Sequence, residues 1–296
     1  MATLEQAHSS FLPLLAMENL RLEQGGVVVF DDLSFKTSGQ RLLVLGATEH
    51  LFGLITGKLN PTTGRLKLMG QSPRAAIASR QAAAVSFDSA FPPSWTPQKY
   101  AYWSGRLSGL SRKQAKNVAK QALHETGLQE QTKPLSHLDS FSRYLTQVAA
   151  VLATEAPVLL LKEPLANLPY PMAEEFELHL IQYLNAKNWI FFVEHTPLTS
   201  RLMQEADEVV FLISSHQVVQ GPPSILASIQ RSFFVILHGD RNKFRDQAIA
   251  AGASVECSSM HLILSLGPQA STRDIFQWAA NTSTTVLSLY PTIIFP

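Results

Sequence analysis

The sequence predicts an α/β protein: a mixed sheet with a parallel centre, a helical subdomain inserted into it, and a small α+β domain at the C-terminal end. Three features carry that expectation. Residues 158–161 are four consecutive apolar residues, too few for a helix face and suited to a short strand buried on both sides of a parallel sheet. Strand-like and helix-like stretches alternate from residue 158 to residue 220, the pattern of strands joined by helical crossovers. After Ser228 the order changes to strand, helix, strand, strand, helix, strand.

Taken in order, residues 1–13 read as a loose arm. Residues 14–22 and 27–35 alternate apolar and polar around Gly25-Gly26 and read as an antiparallel hairpin. Residues 41–45 form a short apolar strand ending at Gly46, followed by a helix over 51–59, a turn at 60–64 and a strand over 65–69. A short helix over 73–82 and a strand over 83–87 come next. From about 97 to 153 the pattern is helical, with expected helices over 99–107, 111–126 and 140–153; Ser111 is an N-cap and Gly127 a stop. The α/β pattern then resumes with strand 158–162, helix 171–186, strand 189–193, helix 197–204, and strands 208–213 and 216–220. The last part gives strand 233–238, helix 241–251, strands 254–257 and 261–266, helix 271–280 and strand 284–289. That is the βαββαβ, ferredoxin-like order. The expected division is 1–13, 14–228 and 229–296.

Composition sets limits on function. The chain has 296 residues, of which 46% are hydrophobic and 16% charged, with a net charge of +1. It is long enough for one large core and a smaller one, and it is not a disordered polymer. The balanced charge gives no argument for a nucleic-acid partner. The one cysteine, Cys257, excludes an internal disulfide framework and suits a reducing compartment. No run is long and apolar enough to span a bilayer, and no signal peptide is read at the N-terminus. The expected location is cytoplasmic, with any contact with the inner face of the membrane made through a partner. His50, His124 and His179 lack paired metal-ligand spacing, and no metal site is expected. Arg112, Lys113, Lys116 and Lys120 form a basic run that reads as a solvated helix face.

Five phrases, in order, carry a resemblance: GGVVVFDDLSF at 25–35, NPTTGRLKLMG at 60–70, VLLLKEPLANL at 158–168, FFVEHT at 191–196 and ADEVVFLISSHQVVQGPPSIL at 206–226. Together they resemble the ATPase subunit of an ATP-binding cassette (ABC) transporter over residues 14–226. The resemblance implies a P-loop NTPase-like fold. Residues 229–296 resemble, in element order, the extension found on exporter-type members.

The resemblance also implies a nucleotide site. Its glycine-rich loop, G-x-x-x-x-G-K-[ST], wraps phosphates with backbone N–H groups, a Lys and a Mg²⁺-binding hydroxyl. Here the corresponding stretch is GATEHLFGLITGK, 46–58. Gly46 fits the first glycine, but the loop is about four residues too short. Gly57-Lys58 comes only after the helix, and Glu49 stands where phosphates would approach. Gln24 replaces the adenine-stacking aromatic. Asp88 aligns with the glutamine that touches Mg²⁺ and water. The signature segment aligns with residues 138–142, where Asp139 and Phe141 replace hydrogen-bond donors. Lys162 replaces the metal-binding Asp, and Pro169 replaces a further Asp. Glu163 matches the general base and His195 the γ-phosphate-sensing histidine. Each also has an ordinary structural role open to it, as a strand-end carboxylate or a neutral ring bonded to a carbonyl.

The resemblance implies a docking cleft between sheet and helical subdomain for a short permease helix. Phe87, Phe91, Trp95, Tyr100, Tyr102 and Trp103 fall in that region. Aromatic anchors are enriched at such interfaces, and the same rings can equally fill the subdomain core. Three readings follow. The first is a catalytically degenerate subunit that binds no ATP and docks on a transmembrane permease or an active ATPase partner. The second is a divergent ATPase of an exporter using ATP and Mg²⁺. The third is a stand-alone interaction protein. On the first reading Lys162 and Asp88 form an ion pair where the metal would be.

Overall fold

The computed structural model describes residues 12–46, 48–194, 200–224, 232–257, 261–267 and 270–292. Strand β1 (Leu15–Gln24) and β2 (Val27–Lys36) form the expected hairpin. Gln24 pairs with Val27, so Gly25 and Gly26 alone make the turn, with φ of 59° and 80°. A two-residue hairpin loop of this hand needs positive φ at both positions, which glycine adopts without a Cβ clash. Strand β4 (Thr63–Leu68) joins the other edge of β1, giving a three-stranded antiparallel sheet in the order β2-β1-β4.

The central sheet has six strands in the order β5-β6-β7-β3-β8-β9. Strands β3 (Arg41–Leu45), β5 (Ala82–Ser86), β6 (Val158–Lys162), β7 (Asn188–Val193) and β8 (Glu208–Leu212) pair in parallel. Strand β9 (Val218–Gly221) closes one edge antiparallel to β8. All five residues of β6 are buried. Its alternation feeds two cores: Leu159 and Leu161 face one, Val158 and Leu160 the other. The first core also takes Phe176, Leu180 and Leu184 of α6 (Tyr170–Leu184) and the inner faces of α3 (Pro97–Leu107), α4 (Arg112–Glu125) and α5 (Ser140–Leu152). The second takes the inner face of the hairpin and α1 (Thr48–Ile55). Such a sheet, buried on both faces, is what a continuous apolar run at 158–161 requires.

The helical subdomain is set by local chemistry. Ser111 and Gln114 form a reciprocal capping box at the start of α4, satisfying N–H groups that a helix cannot bond itself. Gly105 lies where an added Cβ would come 3.0 Å from the Ala153 carbonyl oxygen, so α3 and α5 pack as closely as a missing side chain allows. Two buried acids hold distant segments. Glu208 accepts from the N–H groups of Ser38 and Gly39, both at 2.7 Å. Glu177 accepts from the Leu202 N–H at 2.9 Å, at α7 (Arg201–Glu205).

Several boundaries differ from the sequence expectation. Helix α1 spans 48–55 rather than 51–59, because Gly57 turns at a φ of 73° and Leu59 N–H folds back to the Gly53 carbonyl. Helix α2 (Pro73–Ala78) ends before Arg80, whose φ is 62°, rather than at 82. Helix α7 begins at Arg201, after its N-cap Ser200; positions 197–199 of the expected helix lie outside the described residues.

The C-terminal sheet contains β10 (Ser232–His238), β11 (Ser254–Cys257), β12 (Leu262–Ser265) and β13 (Thr285–Thr292) in the order β11-β12-β10-β13, all antiparallel. Helices α8 (Arg241–Ala250) and α9 (Thr272–Asn281) supply Phe244, Ala248, Ile275 and Trp278 to its own core. This is the expected ferredoxin-like order. The expected junction at Ser228 lies outside the described residues. Among the described residues no helix is long and apolar enough to cross a membrane.

Candidate functional site

The carboxyl end of β6 places a charged residue at the edge of the central core. Lys162 is only 5% exposed, a costly place for an ammonium group unless it is paired. Its Nζ donates to Asp88 Oδ2 at 2.9 Å and also to Glu49 Oε2. Asp88 lies just beyond β5, and Glu49 in the first turn of α1. The Ser86 hydroxyl holds the Asp88 carboxylate from the other side. The Phe87 N–H donates to the Lys162 carbonyl at 3.0 Å, extending the β5–β6 ladder to this point. Burial pulls the Lys162 ammonium down, but the hydrogen bonds and charges of Glu49 and Asp88 outweigh it and raise its pKa above the ordinary value. Burial pushes Asp88 up, and the Ser86 and Lys162 hydrogen bonds with the Lys162 charge bring it below the usual carboxylate range.

Glu163 faces different partners. Its φ is 51°, an uncommon conformation for a residue with a Cβ. Its N–H donates to the Phe192 carbonyl at 2.9 Å. Its Oε1 accepts from the Glu194 N–H at 2.7 Å and from the Thr48 hydroxyl at 3.5 Å. Burial is the main cause of a raised pKa of about 7; the nearby Glu194 charge adds to it, and the Glu194 N–H, Lys162 and Thr48 oppose it. Lys162 and Glu163 thus engage separate sets of groups, the chain turning at Glu163 as it leaves β6.

Strand β3 ends at Leu45 and α1 begins at Thr48, so only Gly46 and Ala47 connect them. Gly46 is buried, with a φ of 83°. Thr48 is fully buried, and Glu49 supplies the acid of the first helical turn. A carboxylate there is favoured by the helix dipole. Lys58 lies beyond the C-terminal end of α1 and is exposed. Asp139 caps α5, accepting from the Ser142 N–H at 2.8 Å and hydroxyl at 2.9 Å. That backbone bond is the main cause of its lowered pKa. Phe141 packs edge-on to Phe176, with centroids 5.8 Å apart. The segment aligned with the signature is therefore a helix cap and a core contact. His195 lies outside the described residues.

The aromatic residues divide. Phe87 is 4% exposed and packs edge-on to Tyr144 and Phe176. Its ring therefore fills the core, one of the two roles open to these aromatics. Phe91 is half-buried under the Arg143 guanidinium, 5.7 Å from its centroid. Trp95, Tyr100, Tyr102 and Trp103 form one chain of ring contacts at 5.5–6.4 Å. Tyr100 also lines a cleft of about 470 Å³ between β5, the end of α1 and helices α3 and α5, with Thr56, Lys58, Ala84, Ser104 and Leu107. Burial raises the Tyr100 pKa. The described residues contain no group of three or more His, Cys, Asp or Glu able to hold a metal.

Sequence reasoning placed Lys162 opposite Asp88 and overlooked Glu49 as a partner of the same ammonium. These residues lie 113 apart in sequence, and no local pattern joins them. The usable signal was the helix start: a shortened connection brings the first turn of α1, and its acid, back to the strand ends.

No family model matches the chain. Curated relatives do. The cytochrome c biogenesis ATP-binding export protein CcmA of Rhodopseudomonas palustris (strain BisB5) is 29% identical over 191 residues, 62% of this chain and 92% of that protein. An uncharacterized ABC transporter ATP-binding protein of Haemophilus influenzae is 30% identical over 165 residues, 51% of this chain and 75% of that protein. Among solved structures, CbiO1 of Clostridium perfringens, part of the ABC transporter complex CbiONQ, matches with a TM-score of 0.61 and 20% identity, over 73% of this chain and 91% of that one. That last likeness is one of fold. The sequence likeness extends across most of each relative's length, so this chain belongs to the ABC transporter ATP-binding proteins.

Proposed function

We propose that the chain is an ABC ATP-binding-subunit homologue that neither binds nor hydrolyses ATP, and that acts as a cytoplasmic structural or regulatory subunit docked on a transmembrane permease or an active ATPase partner. The observation that carries this is the Lys162 ammonium held between Glu49 and Asp88. A magnesium–triphosphate needs the opposite arrangement: cations and N–H donors around phosphates, and carboxylates or hydroxyls around the metal. The residues present do not fit it. The helix N-terminus that would face phosphate already carries Glu49, and the strand end that would face Mg²⁺ carries a cation. Two unit charges ~4 Å apart interact by roughly 4 kcal/mol at an effective dielectric of 20. Mg²⁺ carries two charges, so replacing an acid by a lysine turns an attraction of at least that size into a repulsion. Phosphoryl transfer depends on positioning and charge stabilisation, and two residues between the end of β3 and the start of α1 are fewer than the phosphate-wrapping loop needs.

One observation favours a second reading, a divergent exporter ATPase. Glu163 keeps the general-base position with a pKa of about 7, well placed for proton transfer near neutrality. The third reading, a stand-alone interaction protein, differs only in the partner. Capture of the tagged chain from detergent-solubilised membranes, with and without ATP and Mg²⁺, separates them. A permease or ATPase subunit retained in both conditions is expected. Solitary elution, or hydrolysis abolished by Glu163→Gln, would contradict the proposal.

A further inference from the structure

From Ser89 to His124 the chain contains no Asp or Glu, while Lys99, Arg106, Arg112, Lys113, Lys116 and Lys120 all fall within it. In a protein of net charge +1 this is a strong local excess, and the fold concentrates it on α3 and α4. Lys99, Arg112 and Lys116 converge on a surface depression of about 420 Å³, where Tyr102 and Thr96 add hydroxyls and no carboxylate takes part. None of these three cations pairs with a carboxylate among the described residues; Lys99 instead lies over the Trp95 ring, 4.9 Å from its centroid.

The outer stripe of α3 is equally unusual. Lys99, Trp103 and Leu107 stand four residues apart, on one face of the helix. Trp103 is 40% and Leu107 85% exposed. A solvated helix face would be polar there. Cations beside an exposed Trp and an exposed Leu match the layered chemistry of a bilayer surface: phosphates for Lys and Arg, the headgroup boundary for the indole, and the first carbons of the acyl chains for Leu. A nucleic acid would satisfy the cations and the ring but offers nothing to Leu107.

We propose that the α3–α4 face binds the phosphate headgroups of anionic lipids, so that the subunit contacts the membrane surface directly. This stands independently of the reading of the nucleotide site.

The test is flotation of the full chain with vesicles of phosphatidylcholine, alone or mixed with phosphatidylglycerol. Binding to the mixed vesicles only is expected, weakening about fivefold for each of Lys99→Gln, Arg112→Gln and Lys116→Gln. Leu107→Ser is expected to weaken the binding that survives added salt. The equally charged control Lys36→Gln, Arg65→Gln, Lys67→Gln, on β2 and β4, should bind as wild type, and circular dichroism checks that each variant is folded. Equal losses in the control, equal binding to both vesicle types, or binding to neither would overturn the proposal. So would capture of inorganic phosphate or of a single-stranded oligonucleotide without vesicle binding.

Discussion

Lys162 Nζ lies 2.9 Å from Asp88 Oδ2, joining the end of β6 to the turn after β5 across 74 residues of sequence. With Glu49 on its other side, the ammonium ties together the end of β6, the turn after β5 and the first turn of α1. The pair is asymmetric: the Lys162 side chain is 7% exposed, while those of Asp88 and Glu49 are 44% and 71% exposed.

That asymmetry sets the size of the first expected effect. Breaking a fully buried pair costs roughly 3–5 kcal/mol, and an exposed one is worth about 0–1. Here water reaches both carboxylates, so Lys162→Ala is expected to lower stability by about 1–3 kcal/mol, and Asp88→Asn or Glu49→Gln by under about 1 kcal/mol. Urea unfolding measures all three. An unchanged midpoint for Lys162→Ala would mean that the site adds nothing to the fold.

Glu163 gives a pH signature. Its pKa is about 7 in the folded chain, against an ordinary 4.5. The folded state holds the proton more tightly, so the stabilisation is complete below pH 4.5 and is lost as pH rises through about 7. The stability of the wild type minus that of Glu163→Gln is expected to fall over this window, by up to about 3 kcal/mol. Gln keeps an oxygen for the Glu194 N–H and does not titrate. Parallel stability curves for the two proteins from pH 4.5 to 7.5 would contradict the burial argument.

A charge reversal probes the same strand end from the other side. Lys162→Asp places three carboxylates together, which repel without a cation and suit a hard divalent ion with it. This variant is expected to be destabilised and to recover stability as Mg²⁺ or Ca²⁺ is added, with no such response from the wild type. A wild-type melting temperature that rises with Mg²⁺ would count against a lysine-filled metal position.

The parts of the fold that were legible in the sequence are those fixed by local pattern. The 158–161 run, the Gly25-Gly26 turn and the Ser111 cap each state their geometry within a few residues, and strand β6 has the expected bounds, 158–162. The βαββαβ order was legible because each of its elements has its own periodicity. Helix α1 was misplaced because its start depends on where the strand ends lie, not on its own apolar spacing. The Asp88–Lys162 contact followed from the resemblance, which sets both positions at one metal, together with the cost of a lone lysine at a strand end, whereas Glu49 required knowing that α1 begins at Thr48. For Phe87 the sequence leaves both roles open, because nothing local separates an aromatic residue at a cleft from one beneath it.

On the proposed reading, this family member has lost its nucleotide. Equilibrium binding of labelled ATP with Mg²⁺ to the purified chain, beside an active ABC ATPase subunit as control, tests it most directly. No saturable binding at millimolar ATP is expected, with Lys162→Ala no better than the wild type. Saturable micromolar binding that requires Mg²⁺ would contradict it.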